Sequence, residues 1–318
     1  MNTLLNLSII IVNWNSRSQL AEVVTSIGQH HHDLVSAVII VDNASTDDSL
    51  DRVEALTNLP LNLRIIRSSK NLGFGCACNI GARKADSEYM LFLNPDAALH
   101  ADTLPKALAY MQDTANAKVG ICGVQLLDEA GCVSRSCARF PSATGFAVHA
   151  VGLDRFLPRL GLHMGEWDHT QTRQVDHVIG AFFLLRRSIF ESLQGFDERF
   201  FVYLEDLDFS YRARQAGWQC MYLADAQAFH AGGGTSNQVK ARRLFYSLRS
   251  RLLYAFKHFS CLGAVVVLLV TLLIEPLSRS MQALLRRSWS GLMETWASYG
   301  MLWCWLPKWA FRGDTRSR

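Results

Sequence analysis

The sequence lacks a basic, apolar leader. Its opening, MNTLLNLSIIIVNWNS, has no Lys or Arg ahead of the short apolar run Ile9–Val12. No signal peptide is expected, and the run reads as a buried first strand of a domain that stays in the cytosol. Cysteine pairs are lacking too. The eight cysteines are scattered without CxxC spacing, and Cys76 and Cys78 have no histidine nearby at zinc-site spacing. That argues against a zinc module and for reduced thiols. There is no internal repeat and no low-complexity linker. No glycine-rich phosphate loop follows the first strand, where VNWNS stands instead. This speaks against a nucleotidyltransferase on a similar sheet.

What is present is a chain able to bury a sizeable core, with 318 residues of which 49% are hydrophobic and 19% charged. The net charge of +4 is unevenly spread, since residues 240–318 carry +10 and the remainder −6. An acidic body with a basic, apolar tail suggests surface attachment, and no nucleic-acid partner is expected.

Short apolar runs alternate with helical patterns in the first half. Ser8–Val12, Ala37–Val41, Leu63–Ile66 and Tyr89–Leu93 read as strands. Leu20, Val23, Val24 and Ile27 have helical spacing. Ser45 and Asp48 resemble a capping box before the helical Leu50, Val53 and Leu56. Asn79–Ala85 lies in a further helical stretch. This alternation predicts an α/β fold with a mostly parallel central sheet, helices on both faces, and ligands at the carboxyl ends of the strands. Beyond residue 120 the pattern loosens. Val133–Arg139 reads as a strand, Gly145–Thr172 as a long mobile segment, Val175–Arg186 as one apolar strand, and Leu207–Ala216 as a helix ended by Gly217.

Acidic residues stand where strands end, with Asp42 closing AVIIVD and Asp96 closing YMLFLNPD. Each alone is an ordinary turn former. Two on separate strands of one sheet can divide the work, one binding a base or ribose and the other a divalent cation. Glu205, Asp206 and Asp208 fall within four positions beside Phe200, Phe201 and Tyr203. Acids at a helix N-terminus would explain one or two of them. Carboxylates crowded near apolar surface can also have their pKa values pushed apart, which suits one to general-base work. In FHAGGGTS, His230 is followed by three glycines that let the backbone approach a ligand, and Thr235 and Ser236 offer hydroxyls to phosphate oxygens. Three signals are set aside. GFGCAC from Gly73 is an incomplete dinucleotide fingerprint, His30–His32 reads as a solvated helix end, and Arg186–Arg187 as strand-end charge.

Six segments occur in order: SIIIVNWNS, IIVDNASTD, NLGFGCACNIGA, LFLNPDA, VIGAFFLLRRSIFESLQGFDERFFVYLEDLDFSYRARQAGW and FHAGGGTS. Together they resemble family 2 glycosyltransferases, in the rhamnosyltransferase-like branch, over about residues 7–237. The resemblance implies the GT-A fold, with a catalytic domain over 1–238 made of a nucleotide-binding half to about 125 and an acceptor half from about 126. It implies that Asp42 contacts the nucleotide base, and that Asn13, Asn71, Gly73 and Asn79 line the donor site. Asp96 of NPD stands where the family has a metal-binding Asp-x-Asp whose first position is here Asn94. His230 would complete the shell of a Mg²⁺ or Mn²⁺ ion, and Asp206 would be the catalytic base with Glu205 as neighbour. The donor in this branch is often dTDP-L-rhamnose, though no residue here reads out the sugar. The chain has no QxxRW after the acidic cluster, the motif of processive members. One sugar per encounter is therefore expected, with inversion, in the synthesis of an O-antigen-like surface polysaccharide. The rival reading is a non-catalytic nucleotide-sugar-binding scaffold in a polysaccharide assembly complex, which predicts loss of the base or a metal ligand.

The tail, 239–318, is expected to be helical and membrane-attached. Lys240–His258 has six Lys/Arg and no acid, with Leu244, Leu248, Leu252 and Phe256 on one face. Phe259–Ile274 is uncharged and is stopped by Glu275–Pro276. A span needs about 20 residues, so this run is marginal. Trp289, Trp296 and Trp303 share a helical face, and tryptophan prefers the membrane interface. The plainer reading is a helical pair packed on the catalytic domain or on a second copy of the chain. The membrane reading places the protein on the cytoplasmic face of the inner membrane, with a glycan or polyprenyl-diphosphate-linked acceptor.

Overall fold

A computed structural model describes residues 6–57, 59–156, 158–232 and 240–312. The strands are β1 Leu7–Asn13, β2 Val35–Asp42, β3 Leu63–Arg67, β4 Tyr89–Leu93, β5 Ala97–Leu99, β6 Val119–Leu127, β7 Cys137–Ala138, β8 Arg173–Val175, β9 His177–Val178, β10 Phe182–Arg186 and β11 Gln219–His230. The helices are α1 Gln19–His30, α2 Ser49–Glu54, α3 Phe74–Ala82, α4 Thr103–Gln112, α5 Ala143–Ala150, α6 Arg187–Ser192, α7 Glu205–Gln215, α8 Lys240–His258, α9 Cys261–Leu269, α10 Glu275–Leu285 and α11 Trp289–Arg312.

These elements form two compact units. The first is drawn from residues up to Ala138, from Trp167–Asp197 and from Asp206 through β11. Its sheet runs β3-β2-β1-β4-β10-β6-β11-β5, with β8 also on β11. Strands β1 to β4 pair parallel, as do β6 and β11, while β10 and β5 run antiparallel to their neighbours. Every residue of β1 and of β4 is buried, as expected of β-branched and apolar runs covered on both faces. Because β2 and β4 flank β1, the order reverses there, and the crevice at the carboxyl ends of these strands is the ligand-binding position of such sheets.

Helix α3 lies close on this sheet because Gly81 has no side chain. A Cβ there would come within 2.6 Å of Ile10 Cγ2 and 3.1 Å of Val41 Cγ2. Gly81→Val is expected to lower stability by about 1–3 kcal/mol through overpacking. Urea unfolding followed by circular dichroism measures it, and an unchanged midpoint would mean the helix floats free of the strand.

Several expectations are corrected. Val175–Arg186 is three short strands interrupted at Asp176 and Ile179–Ala181. Of Val133–Arg139 only Cys137–Ala138 is a strand, paired with β9, while Val133 makes an isolated bridge to Leu127. The loosened pattern after residue 120 conceals β6 and the 12-residue β11. Gly145–Thr172 is not featureless, since it holds the end of α5 and 3₁₀ turns at Leu153–Arg155 and Pro158–Leu160. No capping box forms at Ser45, because Asp48 is the N-cap of α2 and Ser45 Oγ accepts from Asn13 and from the Asn15 N–H. His30 and His32 are exposed as read, but His31 is fully buried with Nε2 2.9 Å from the His100 carbonyl. Burial pushes its pKa down.

The second unit comprises Arg139–Glu166, Glu198–Glu205 and the helices from Lys240 on. Leu248 and Leu252 of α8 are buried, and the Ser298 hydroxyl donates to the Ala241 carbonyl, tying α11 to α8. Glu275–Pro276 ends the apolar run but not the helix. A π turn at Val270–Ile274 joins α9 to α10 as one helix. Pro276 falls in the first turn of α10, where its missing N–H is tolerated.

Candidate active site

The carboxyl ends of β1 and β2 are locked together by side chains. Asn13 is fully buried, and its amide donates to Asp42 Oδ1 at 2.8 Å and to the hydroxyls of Ser49 at 2.8 Å and Ser45 at 3.1 Å. The Ser16 hydroxyl donates back to Oδ1 of the Asn13 side chain. Asp42 is thereby oriented at the sheet edge, and its other oxygen accepts the Ser45 N–H at 3.2 Å. The adjacent Asn43 ties in the next loop. Its amide donates to Asn71 Oδ1 at 2.9 Å and to the Gly73 carbonyl at 3.2 Å, and its oxygen accepts the Leu72 N–H at 2.8 Å. Gly73, the N-cap of α3, has φ +85°, a conformation glycine adopts without strain. Asn15, Arg17 and Ala44 also have positive φ. These left-handed residues cluster in the loops leaving β1 and β2, as strained backbone does at functional sites.

Asn79, on α3, is bonded to a different loop. Its amide donates to the Phe196 carbonyl at 2.8 Å, and its oxygen accepts the Phe196 N–H at 2.9 Å. Its place in the structure is a brace between α3 and the 195–196 turn.

Asp96 follows β4 and meets His230 at the end of β11. The pairing of β11 with β5 sets His230 opposite Ala97, and the Ala231 N–H donates to the Asp96 carbonyl at 3.0 Å. Nε2 of His230 lies 3.3 Å from Asp96 Oδ1, and both side chains are largely buried. That nitrogen makes no hydrogen bond. A buried ring nitrogen facing a carboxylate without bonding it is placed as two ligands of one cation would be, since neighbouring oxygens around Mg²⁺ sit about 3 Å apart. Among the described residues no third His, Cys, Asp or Glu joins them. Thr235 and Ser236 lie outside the described residues.

Asp206 is held from three directions. Oδ2 accepts the Gly180 N–H at 2.8 Å, Oδ1 accepts the Leu207 N–H at 2.8 Å, and His177 Nε2 lies 3.6 Å from Oδ2. His177 is buried, with Nδ1 2.9 Å from the Ser210 hydroxyl. Burial alone would raise the Asp206 carboxyl, but the imidazole and the two N–H groups outweigh it and hold the group below the usual carboxylate range. Asp208 pairs with Arg212 at 2.8 Å, and that guanidinium also donates to the carbonyls of Leu193 and Gly195. Glu205, the buried first residue of α7, is counted with the second unit. There Phe201 stacks on Tyr246 at 4.5 Å between ring centres.

The Gly180–Ala181 backbone links the two acidic stations. Gly180 donates to Asp206, and the Ala181 carbonyl accepts the Asn94 N–H at 3.0 Å, two residues before Asp96. Asp42, Asp96 and His230 thus stand at or just past strand ends of one sheet, and Asp206, at the start of α7, is bonded to the loop before β10, whereas Arg186 lies elsewhere. It donates to the Val119 and Met111 carbonyls and the Tyr89 hydroxyl, at the start of β4. Sequence reading missed His177, Gly180 and Asn43. Asn43 adjoins Asp42 in VDNAS, and a glycine inside the apolar run Val175–Arg186 was the signal for a break at 180.

Residues 8–194 match the family described as Glycosyl transferase family 2. Over 224 residues the chain is 30% identical to the N-acetylglucosaminyl-diphospho-decaprenol L-rhamnosyltransferase of Mycobacterium tuberculosis, covering 65% of this chain and 70% of that protein. It is 29% identical over 192 residues to the rhamnosyltransferase WbbL of Escherichia coli, covering 57% and 69%. Among solved structures, the mannosyltransferase PcManGT from Pyrobaculum calidifontis, in complex with GDP-Man and Mn²⁺, superposes with a TM-score of 0.54 at 18% identity, covering 93% of this chain and 74% of that one. That likeness shows the GT-A fold. A match over more than half of the chain, on a sheet of this topology, makes the protein a glycosyltransferase belonging to glycosyltransferase family 2.

Proposed function

We propose that the protein moves one sugar from a nucleotide-sugar donor to a lipid-linked glycan acceptor, inverting the anomeric carbon, in the assembly of a cell-surface polysaccharide. The observation that carries this is the Asp96–His230 pair at 3.3 Å, joined through Gly180–Ala181 to the ionised Asp206. In this reading residues 1–238 are the catalytic domain. Asp42 receives the base, the Asn13-organised and Asn71–Gly73 loops shape the donor site, and Thr235 adds a hydroxyl to the phosphates. Asp96 and His230 would hold a Mg²⁺ or Mn²⁺ ion. When bound, the cation supplies positive charge to the diphosphate leaving group. Asp206 accepts the proton of the acceptor hydroxyl as that oxygen attacks, and no protein nucleophile is needed. Relatives named as rhamnosyltransferases, one with a diphospho-decaprenol acceptor, support L-rhamnose as donor sugar and a polyprenyl diphosphate as acceptor carrier. The basic, apolar 239–318 segment supports attachment at the cytoplasmic face of the membrane.

The test is transfer from dTDP-, UDP- and GDP-sugars, with Mn²⁺, to a polyprenyl-diphosphate-linked acceptor, with the product's anomeric configuration read by NMR. Donors that bind without any transfer would favour the scaffold instead. His177 sets the pH range. A depressed carboxyl pKa means that the ionised, folded form is favoured above the ordinary range near about pH 4 and loses that advantage only as pH falls through the lower, folded value. His177→Ala is expected to move the acid limb of kcat/KM to higher pH. A limb that stays in place would show that the imidazole does not act on Asp206.

A further inference from the structure

The helix Cys261–Leu285 is inside out for a protein in water. Its outward residues are large and apolar, with Leu262 75%, Leu273 62% and Leu277 65% exposed, and Val266, Leu269 and Leu284 exposed beside them. Its inward side holds only small or medium apolar residues, Ala264, Val267 and Ala283, together with polar groups. Glu275 is 1% exposed, bonded to Arg251 of α8 and to Arg279, and Thr271 is buried on the same side. A helix normally buries its apolar stripe, and an exposed apolar patch of this extent marks an interaction site.

The face is not confined to the tail. The Ser278 hydroxyl donates to the Ala150 carbonyl at 2.6 Å, and a Cβ on Gly152 would meet Gln282 at 3.0 Å. The segment after α5 therefore lies against α10, and it presents Leu153, 48% exposed, and Phe156, 80% exposed. On α11, Trp289, Met293, Trp296 and Trp303 are exposed.

Two observations choose the occupant. Arg286 and Arg287 are exposed directly after the apolar stripe, while the acids from Lys240 on, among the described residues, are the buried Glu275 and the half-buried Glu294. A second copy would offer the same face, with no exposed acid to meet these arginines, whereas anionic headgroups complement them. Cys261–Leu285 is 25 residues and long enough to cross a bilayer. Yet its inner side is tied along its length to the charged Arg251 and to α5, α8 and α11, which cannot follow it into hydrocarbon.

We infer that the second unit rests on an anionic membrane in the plane of its surface, through one face built from the Leu153–Phe156 segment of the mid-chain insert together with α9, α10 and α11. This rests on, and sharpens, the membrane attachment proposed above. Tryptophans at its edge sit at headgroup level.

The full-length protein is floated with vesicles of phosphatidylglycerol and phosphatidylcholine, and turnover with a water-soluble acceptor is measured in the same preparation. The double variant Leu153→Asp, Phe156→Asp is expected to weaken vesicle binding about tenfold or more, with soluble-acceptor turnover unchanged. Spin labels at positions 262, 273 and 285 are expected at one shallow depth. Unchanged vesicle binding by the double variant overturns the two-segment face. A label at 273 in the bilayer centre with 262 and 285 at opposite surfaces overturns the in-plane placement. A dimer that the double variant dissociates, with vesicle binding unaltered, assigns the face to a second copy. Absent turnover with every donor in the unvaried protein sinks the proposed transfer reaction, and vesicle binding still decides the face.

Discussion

Replacing Asp206 by asparagine is expected to lower kcat by about 10²–10⁴-fold, the usual worth of a positioned general base, and to leave donor affinity nearly unchanged. The amide keeps the shape and one oxygen, so the Gly180 or the Leu207 N–H retains a partner. What is lost is the negative charge. The depressed pKa matters here, because at neutral pH the carboxylate is fully ionised and always ready to accept. It is also a weak base, so as the proposed base it would take the proton while the new C–O bond forms, when the hydroxyl has become acidic. Donor affinity is read by thermal shift and turnover by product formation. Near-normal turnover in Asp206→Asn would remove Asp206 from the mechanism and leave Glu205 to be tested next. Asp208 is the poorer substitute, since it is fully buried against Arg212.

The parts of this protein legible in its sequence are those where one local rule dominates. Strands β1, β2 and β4 are unbroken β-branched or apolar runs, and their limits fell within one or two residues of those expected. Strand β6 was not recognised because Gly120 and Gly123 interrupt its run, and the reason for Gly123 is tertiary. A Cβ there would lie 2.7 Å from Val178 Cβ, on a strand more than 50 residues away. Strand β11 carries Asp225 and Gln227 at the register shift where its partner changes from β8 to β5, so its alternation fails. The same division holds for the site. Asp42, Asp96 and His230 announce themselves as polar residues at the ends of apolar runs. His177 does not, since it looks like one more strand residue until the fold brings Asp206 to 3.6 Å. Asn79 illustrates the converse, a polar residue in a motif whose amide bonds are spent on the backbone 117 residues later.

Chelation is the second large effect. Excess EDTA is expected to abolish turnover, and Mn²⁺ or Mg²⁺ to restore it. Asp96→Ala and His230→Ala are each expected to reduce kcat/KM by about 10²–10⁴-fold, the rate equivalent of several kcal/mol of leaving-group stabilisation. The geometry makes the two variants informative in different ways. Asp96 contributes charge, and its backbone also accepts the Ala231 N–H, which alanine preserves. His230 contributes a neutral ring nitrogen that in this structure has no hydrogen-bond partner. A purely structural histidine would leave fold stability impaired on removal, because its bonds would be lost. A ligand nitrogen without such bonds should cost only the packing of its ring and abolish the Mn²⁺-dependent thermal shift expected with donor. Activity that survives excess chelator would rule out the cation and leave the diphosphate charge to be met by protein groups alone. In that case Asp96 beside His230 would have to be read as a buried ion pair, and His230→Ala would then destabilise the fold by leaving the carboxylate without a counter-charge.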